Sequence, residues 1–143
     1  AAKYVANRIR AIIRDKGSAR IIVATGASQF EFLDELVKLD VPWDKVDAFH
    51  LDEYIGMSDS HKASFVKYLK ERLFSKVKVQ FKSVNYLNGM ASDPEEETVR
   101  YSKLLAVAPI DIACIGIGEN GHIAFNDPGI ADFEDKKLVN VMK

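Results

Sequence analysis

One cysteine in 143 residues, Cys114, leaves no partner for an internal disulfide. It lies in an apolar stretch, so a buried, inert thiol in a reducing compartment is expected, and the chain is read as cytoplasmic. An excess of either charge is missing too. Twenty basic and 21 acidic side chains give a formal net charge of −1, so no global field draws nucleic acid or an anionic membrane. No apolar run approaches the ~18 residues of a membrane-spanning helix. The start lacks an initiator Met and a signal-type apolar core. It opens inside a helical pattern, which leaves room for a strand upstream. There is no repeat, low-complexity tract or linker, so residues 1–143 are expected to form one domain, large enough to bury a core. The 48% hydrophobic and 29% charged content is that of an ordinary globular protein.

What is present alternates between two periods. Val5, Ile9, Ile12 and Ile13 share a helical face ahead of Gly17, which predicts a helix over 2–16. Residues 20–24 (RIIVA) predict a strand that ends in Thr25, Gly26, Ala27 and Ser28. Ser28 and Glu31 have capping-box spacing before the apolar face of Phe30, Leu33, Leu36 and Val37. A strand, a Thr-Gly turn and a capped helix would gather free N–H groups where a phosphate could sit. A plain βα turn with a good cap has the same appearance.

Trp43 in the Val-Pro-Trp connector is expected to pack. Residues 46–51 predict a strand running into Asp52, Glu53 and Tyr54. Adjacent carboxylates there point in different directions, so one can face a site while the other serves structure; a chance acidic turn has the same spacing. His61 falls at a loop or helix start, and Phe65, Val66, Leu69 and Leu73 predict a helix over about 62–74. Residues 84–87 predict a short strand. Asp93, Pro94 and Glu95 to Glu97 read as an N-cap, Pro at N1 and a first-turn carboxylate cluster. Tyr101, Leu104, Leu105 and Ala108 supply that helix's buried face, and Pro109 ends it.

The stretch 110–128, IDIACIGIGENGHIAFNDP, carries the chemistry. Of residues 110–115 only Asp111 is polar, which predicts a strand buried on both faces of a parallel sheet. Gly116, Gly118 and Gly121 follow, then His122, Asn126 and Asp127, an arrangement suited to an active site at the carboxyl edge of an α/β sheet. GIGENG also fits the dinucleotide fingerprint G-x-G-x-x-G. That motif needs a long helix after its third glycine and an acidic residue ending a strand about 20 residues on. Pro128 and Gly129 interrupt too soon, and no such strand is evident, so the dinucleotide reading is set aside. Residues 138–142, LVNVM, predict a further strand. The whole order, α-β-α-β-α-β-α-β, predicts an α/β fold: a doubly wound, mostly parallel, Rossmann-like sheet with helices on both faces, incomplete at both ends.

Three segments, ATGAS at 24–28, LDEYIG to HKASF at 51–65, and GIGENGHIAFNDP at 116–128, resemble the glucosamine-6-phosphate deaminase (isomerase) family, part of a superfamily with 6-phosphogluconolactonase. The resemblance covers the N-terminal part of a family member. It implies conversion of glucosamine 6-phosphate to fructose 6-phosphate and ammonia, without metal or organic cofactor. It also implies Asp52 as the base at C2 and His122 as the ring-opening group. Asp127 stands where the family usually has Glu, and Asn120 at the Asp or Asn position beside it. Thr25, Gly26, Ala27, Ser28, Glu53 and Gly121 would bind substrate, the phosphate falling to Gly26, Ala27 and Ser28.

Some positions depart from the pattern. Asp127 is one methylene short, Gln29 replaces a common Pro, and so does Lys62. The family's phosphate-clamping Arg and Lys would lie beyond residue 143, so the chain by itself is expected to be inactive. The lactonase branch typically has Asp-Glu-Arg where this chain has Asp52, Glu53 and Tyr54. Rival readings are a lactonase-like hydrolase, an isomerase of a related sugar phosphate, and a non-catalytic sugar-phosphate sensor. A sensor has no need of the proton-moving set Asp52, His122 and Asp127. The expected partner is a small sugar phosphate, not nucleic acid or membrane, with a homo-oligomer left open.

Overall fold

The first apolar stripe becomes α1 (Ala2–Lys16) in a computed structural model that describes residues 1–142. Ala6 and Ile9 are fully buried, and Gly17 closes the helix at φ 82°, its N–H bonded to Ile13 O. Only a left-handed residue makes that bond without strain, which is why glycine stands there. The chain continues through β1 (Ala19–Val23), α2 (Phe30–Leu36), β2 (Val46–His50), α3 (Phe65–Leu69), β3 (Ser83–Asn85), α4 (Pro94–Ala106) and β4 (Ile112–Cys114). The alternation read from the sequence is thus the alternation observed.

All strand pairs are parallel and the order is β3-β2-β1-β4. Ile21 lies opposite both Ala48 and Ile112. The chain builds outward from β1 to β3, then returns to the other side of β1. The switch point between β1 and β4 is where an open α/β sheet leaves a crevice at its carboxyl ends.

Alternate residues of each strand go to opposite faces. Ala19, Ile21, Val23, Val46 and Ala48 share one core with buried residues of α1, α2 and α3. The other face belongs to α4. Arg20 donates from its guanidinium to Leu104 O at 2.6 Å and Leu105 O at 3.0 Å, and lies 4.8 Å from the Phe49 ring. Tyr101 packs edge-on to Phe49 at 6.0 Å. Helices therefore cover both faces. Trp43, only 2% exposed, packs against Phe81 as a core residue.

Four local expectations need correction. The capping box at Ser28 and Glu31 does not form. Gln29 N–H bonds to Gly26 O, making a 3₁₀ turn over Ala27–Gln29, and α2 starts only at Phe30 without a side-chain cap. The N–H of Phe30, which that cap would have served, is bonded to Ala27 O instead. The helix expected over 62–74 begins at Phe65, behind Ser64, whose Oγ accepts from Lys67 N, and continues as a π-helical segment, Lys70–Phe74. Among the described residues β4 is not buried on both faces: it pairs there with β1 alone, and Ala113 is exposed. Residues 138–142 form no strand and run along a cleft instead. The Asp93 cap is as expected, its carboxylate accepting from Glu95 N and Glu96 N.

Candidate active site

Beyond the carboxyl ends of β2 and β4 lies a cleft of about 720 Å³. Asp52, Glu53 and Tyr54 line it from the β2 side, and residues 123–127 from the β4 side. The two loops meet through aromatic rings, with Phe125 5.2 Å from Tyr54 and 6.1 Å from Phe65. Those contacts fix the backbone that carries Asp127 against the backbone that carries Asp52.

The carboxylate pair divides its work. Glu53 is saturated: Oε1 accepts from Tyr54 N and Phe65 N, and Oε2 from Ser64 Oγ at 2.8 Å and Val66 N at 3.0 Å. It caps the N-terminus of α3, where unpaired backbone donors favour an anion. Among the described residues the Asp52 carboxylate accepts no hydrogen bond. Burial pushes its carboxyl up to about 6, and the charge of Glu53 acts in the same direction. A carboxylate so perturbed, facing a cleft, has the character of a general base. Glu53 is placed for positioning more than for contact with substrate. Glu53→Gln should cost about 1–3 kcal/mol, since an amide nitrogen would oppose backbone donors. A urea melt checks this; an unchanged midpoint would show that the cap contributes nothing.

His122 is held in one orientation. Asn120 Oδ1 accepts from His122 N at 3.2 Å, while Asn120 Nδ2 donates to Asp127 Oδ1 at 2.8 Å. A backbone N–H can only donate and a carboxylate can only accept, so both ends of the amide are assigned. The imidazole Nδ1, 2.6 Å from that same Oδ1, must then carry a hydrogen, so the neutral tautomer favoured here is the one with its lone pair on Nε2. Asp127 Oδ1 also lies 3.3 Å from Nδ1, so the shorter side chain does reach the ring.

The glycines are steric. Any Cβ at Gly118 would overlap the imidazole, and Gly118 N bonds to His122 O at 2.8 Å. Gly121, at φ 89°, closes the turn by donating to Gly118 O at 2.9 Å.

The turn at 25–28 lies on the switch-point side. Thr25 is half-buried, while Gly26, Ala27 and Ser28 are exposed. Ser28 Oγ approaches β4 so closely that a Cβ at Gly116 would stand 3.1 Å from it. This turn does not line the cleft of Asp52 and Asp127. His61 sits in an exposed turn where its Nδ1 accepts from Ala63 N, a local role.

Tyr101 does more than the packing expected of it, and His50, not singled out above, lies beside it. Tyr101 Oη accepts from His50 N at 3.0 Å and stands 2.9 Å from His50 O and 3.1 Å from Asn85 O, tying the ends of β2 and β3 just before Asp52. The signal was a tyrosine on a buried helix face, where a phenol needs a partner. His50 is 1% exposed, with neither ring nitrogen bonded among the described residues; burial holds it down to about 4, so the ring is neutral. Cys114 is half-buried and burial raises its thiol to about 11, consistent with an inert side chain. No group of three metal-ligating side chains occurs among the described residues, and no helix there is long and apolar enough to cross a membrane.

The profile of a family described as glucosamine-6-phosphate isomerases/6-phosphogluconolactonase matches residues 1–143. Glucosamine-6-phosphate deaminase 1 of Giardia intestinalis is 41% identical over 87% of the chain and 49% of its own length. The deaminase of Streptococcus pyogenes serotype M1 is 38% identical over 90% of the chain and 54% of its own. The chain thus spans about half the length of the curated relatives it matches. A solved monomeric glucosamine-6-phosphate deaminase superposes with a TM-score of 0.83 at 31% identity, covering 94% of this chain and 56% of that one. A 6-phosphogluconolactonase of Thermotoga maritima reaches 0.78 at 21% identity, over 87% of this chain and 57% of its own, a likeness of fold.

Proposed function

The chain belongs to the family of glucosamine-6-phosphate isomerases and 6-phosphogluconolactonases, and on that premise we propose that it carries the proton-transfer half of a glucosamine-6-phosphate deaminase. The protein converts glucosamine 6-phosphate and water to fructose 6-phosphate and ammonia. The observation that carries this reading is Asp52, a carboxylate without hydrogen-bond partners among the described residues, raised to about 6 and facing the same cleft as Asp127.

Each step asks for a group that is present. His122 presents the Nε2 lone pair and takes the proton of the C1 hydroxyl as the ring opens, returning it to the ring oxygen. Asp52 then removes the proton from C2; the pair becomes the C1–C2 double bond of an enolamine as the carbonyl π pair moves to O1, which takes a proton from water. Return of the Asp52 proton to C1 draws the nitrogen lone pair into a C2=N double bond. The product imine at C2 adds water and releases ammonia. Asp127 and Asn120 hold the imidazole, and Gly26, Ala27 and Ser28 offer donors to the phosphate. Neither metal nor organic cofactor enters any of these steps. The reaction belongs to the cytoplasm, where sugar phosphates are kept.

Hydrolysis of a lactone or sensing of a ligand needs no base at C2, so one measurement separates these readings. In deuterated water the intact protein should place deuterium in the product at C1 while releasing ammonia. Its rate should rise with pH through about 6 as Asp52 ionises. Binding of the sugar phosphate without ammonia or deuterium would favour the sensor; lactone hydrolysis alone would favour the hydrolase.

A further inference from the structure

Ser64, Tyr68 and Arg72 recur at intervals of four along α3 and its π-helical continuation, which sets them along one side of that helix. Each is tied to a different part of the site. Ser64 donates to Glu53, the neighbour of Asp52. One turn on, Tyr68 Oη donates to Gly26 O at 2.9 Å, across 42 positions of sequence. Gly26 has φ 105° and ψ 169°, a conformation open in practice only to glycine. Its carbonyl also accepts from Gln29 N, so it is the hinge of the turn that presents Ala27 and Ser28. One turn further, the Arg72 guanidinium lies 3.9 Å from the Phe30 ring centroid. Phe30 stacks on Tyr68 at 5.8 Å and begins α2 directly after that turn.

We infer that Tyr68 is a positioning residue that sets the turn at 25–28 at a fixed distance from Asp52. It thereby selects substrates by the span between phosphate and reacting carbon. The inference rests on the reading of that turn as the phosphate contact. A single helical turn, about 5.4 Å of rise, separates the attachment of α3 to the Asp52 strand end from its attachment to Gly26. The phosphate of a hexose 6-phosphate and its C2 proton lie at opposite ends of a chain of fixed length. A rigid link between the two protein groups favours that length over shorter sugar phosphates.

The test is Tyr68→Phe in the intact protein, which keeps the ring stack and removes only the hydroxyl. KM for glucosamine 6-phosphate and the inhibition constant of inorganic phosphate should both rise about 3–10-fold, the scale of one hydrogen bond, with a smaller change in kcat. Amide exchange at residues 27–29 should quicken while that of Leu69 in the core stays slow. Unchanged KM and phosphate inhibition overturn the inference, and so does a fall in Tm with both constants intact. A wild-type protein that releases no ammonia from glucosamine 6-phosphate overturns the functional reading itself, whatever the variant does.

Discussion

Asp52→Asn should lower kcat by at least ~10²-fold, the usual scale for loss of a general base, and should also make the fold more resistant to heat at neutral pH. The two effects share a cause. Burial, helped by Glu53, raises the Asp52 carboxyl from 3.8 to about 6, so between those values the folded chain holds a proton the unfolded chain has released. A group raised in this way contributes stability that is complete below about 4 and is lost as pH climbs through about 6. Above that the native state carries a desolvated charge. Asparagine carries none, so the gain in Tm should be smaller at pH 4.5, where the loss has only begun, than at pH 8. Melting curves at the two pH values, beside kcat at pH 8, check both limbs. Should the variant match wild type in rate, or lose stability equally at both pH values, Asp52 is an acidic turn and no base.

Local chemistry was legible in the sequence; contacts made at a distance were not. Gly17 and Asp93 act within their own turns, so residue type and neighbours sufficed to place both helix ends. The division of labour between Asp52 and Glu53 could be anticipated as a pair with two directions. Which carboxylate served which role depended on Ser64, Phe65 and Val66, at least eleven positions away. The box of Ser28 and Glu31 misled because spacing cannot register that Gly26 starts a 3₁₀ turn first. An apolar run cannot say whether it lies inside a sheet or at its rim, and residues 110–115 met one neighbouring strand among the described residues. The links from Tyr101 to His50 and from Tyr68 to Gly26 span 51 and 42 positions, and no periodicity encodes them.

At Gly118, alanine should cost as much catalysis as removing the imidazole, on the order of 10²-fold or more in kcat, with little loss of folding stability. The added methyl would occupy the space of the His122 ring, which stacks directly on the glycine. The ring cannot yield toward Asn120, because Oδ1 is already at hydrogen-bond distance from Nδ1 and from the His122 amide. It must swing away, breaking the Asn120 contact that fixes the tautomer and leaves Nε2 free. A displacement of about 1 Å at a reacting group is enough for a loss of this order. Folding is spared because residues 118–122 are at most half-buried and outside the core. Since both changes disable one unit, Gly118→Ala combined with His122→Gln should be no slower than His122→Gln alone. Steady-state rates for the two single variants and the double, with Tm for each, decide the matter. Multiplicative losses in the double variant would show that Gly118 serves something other than the imidazole.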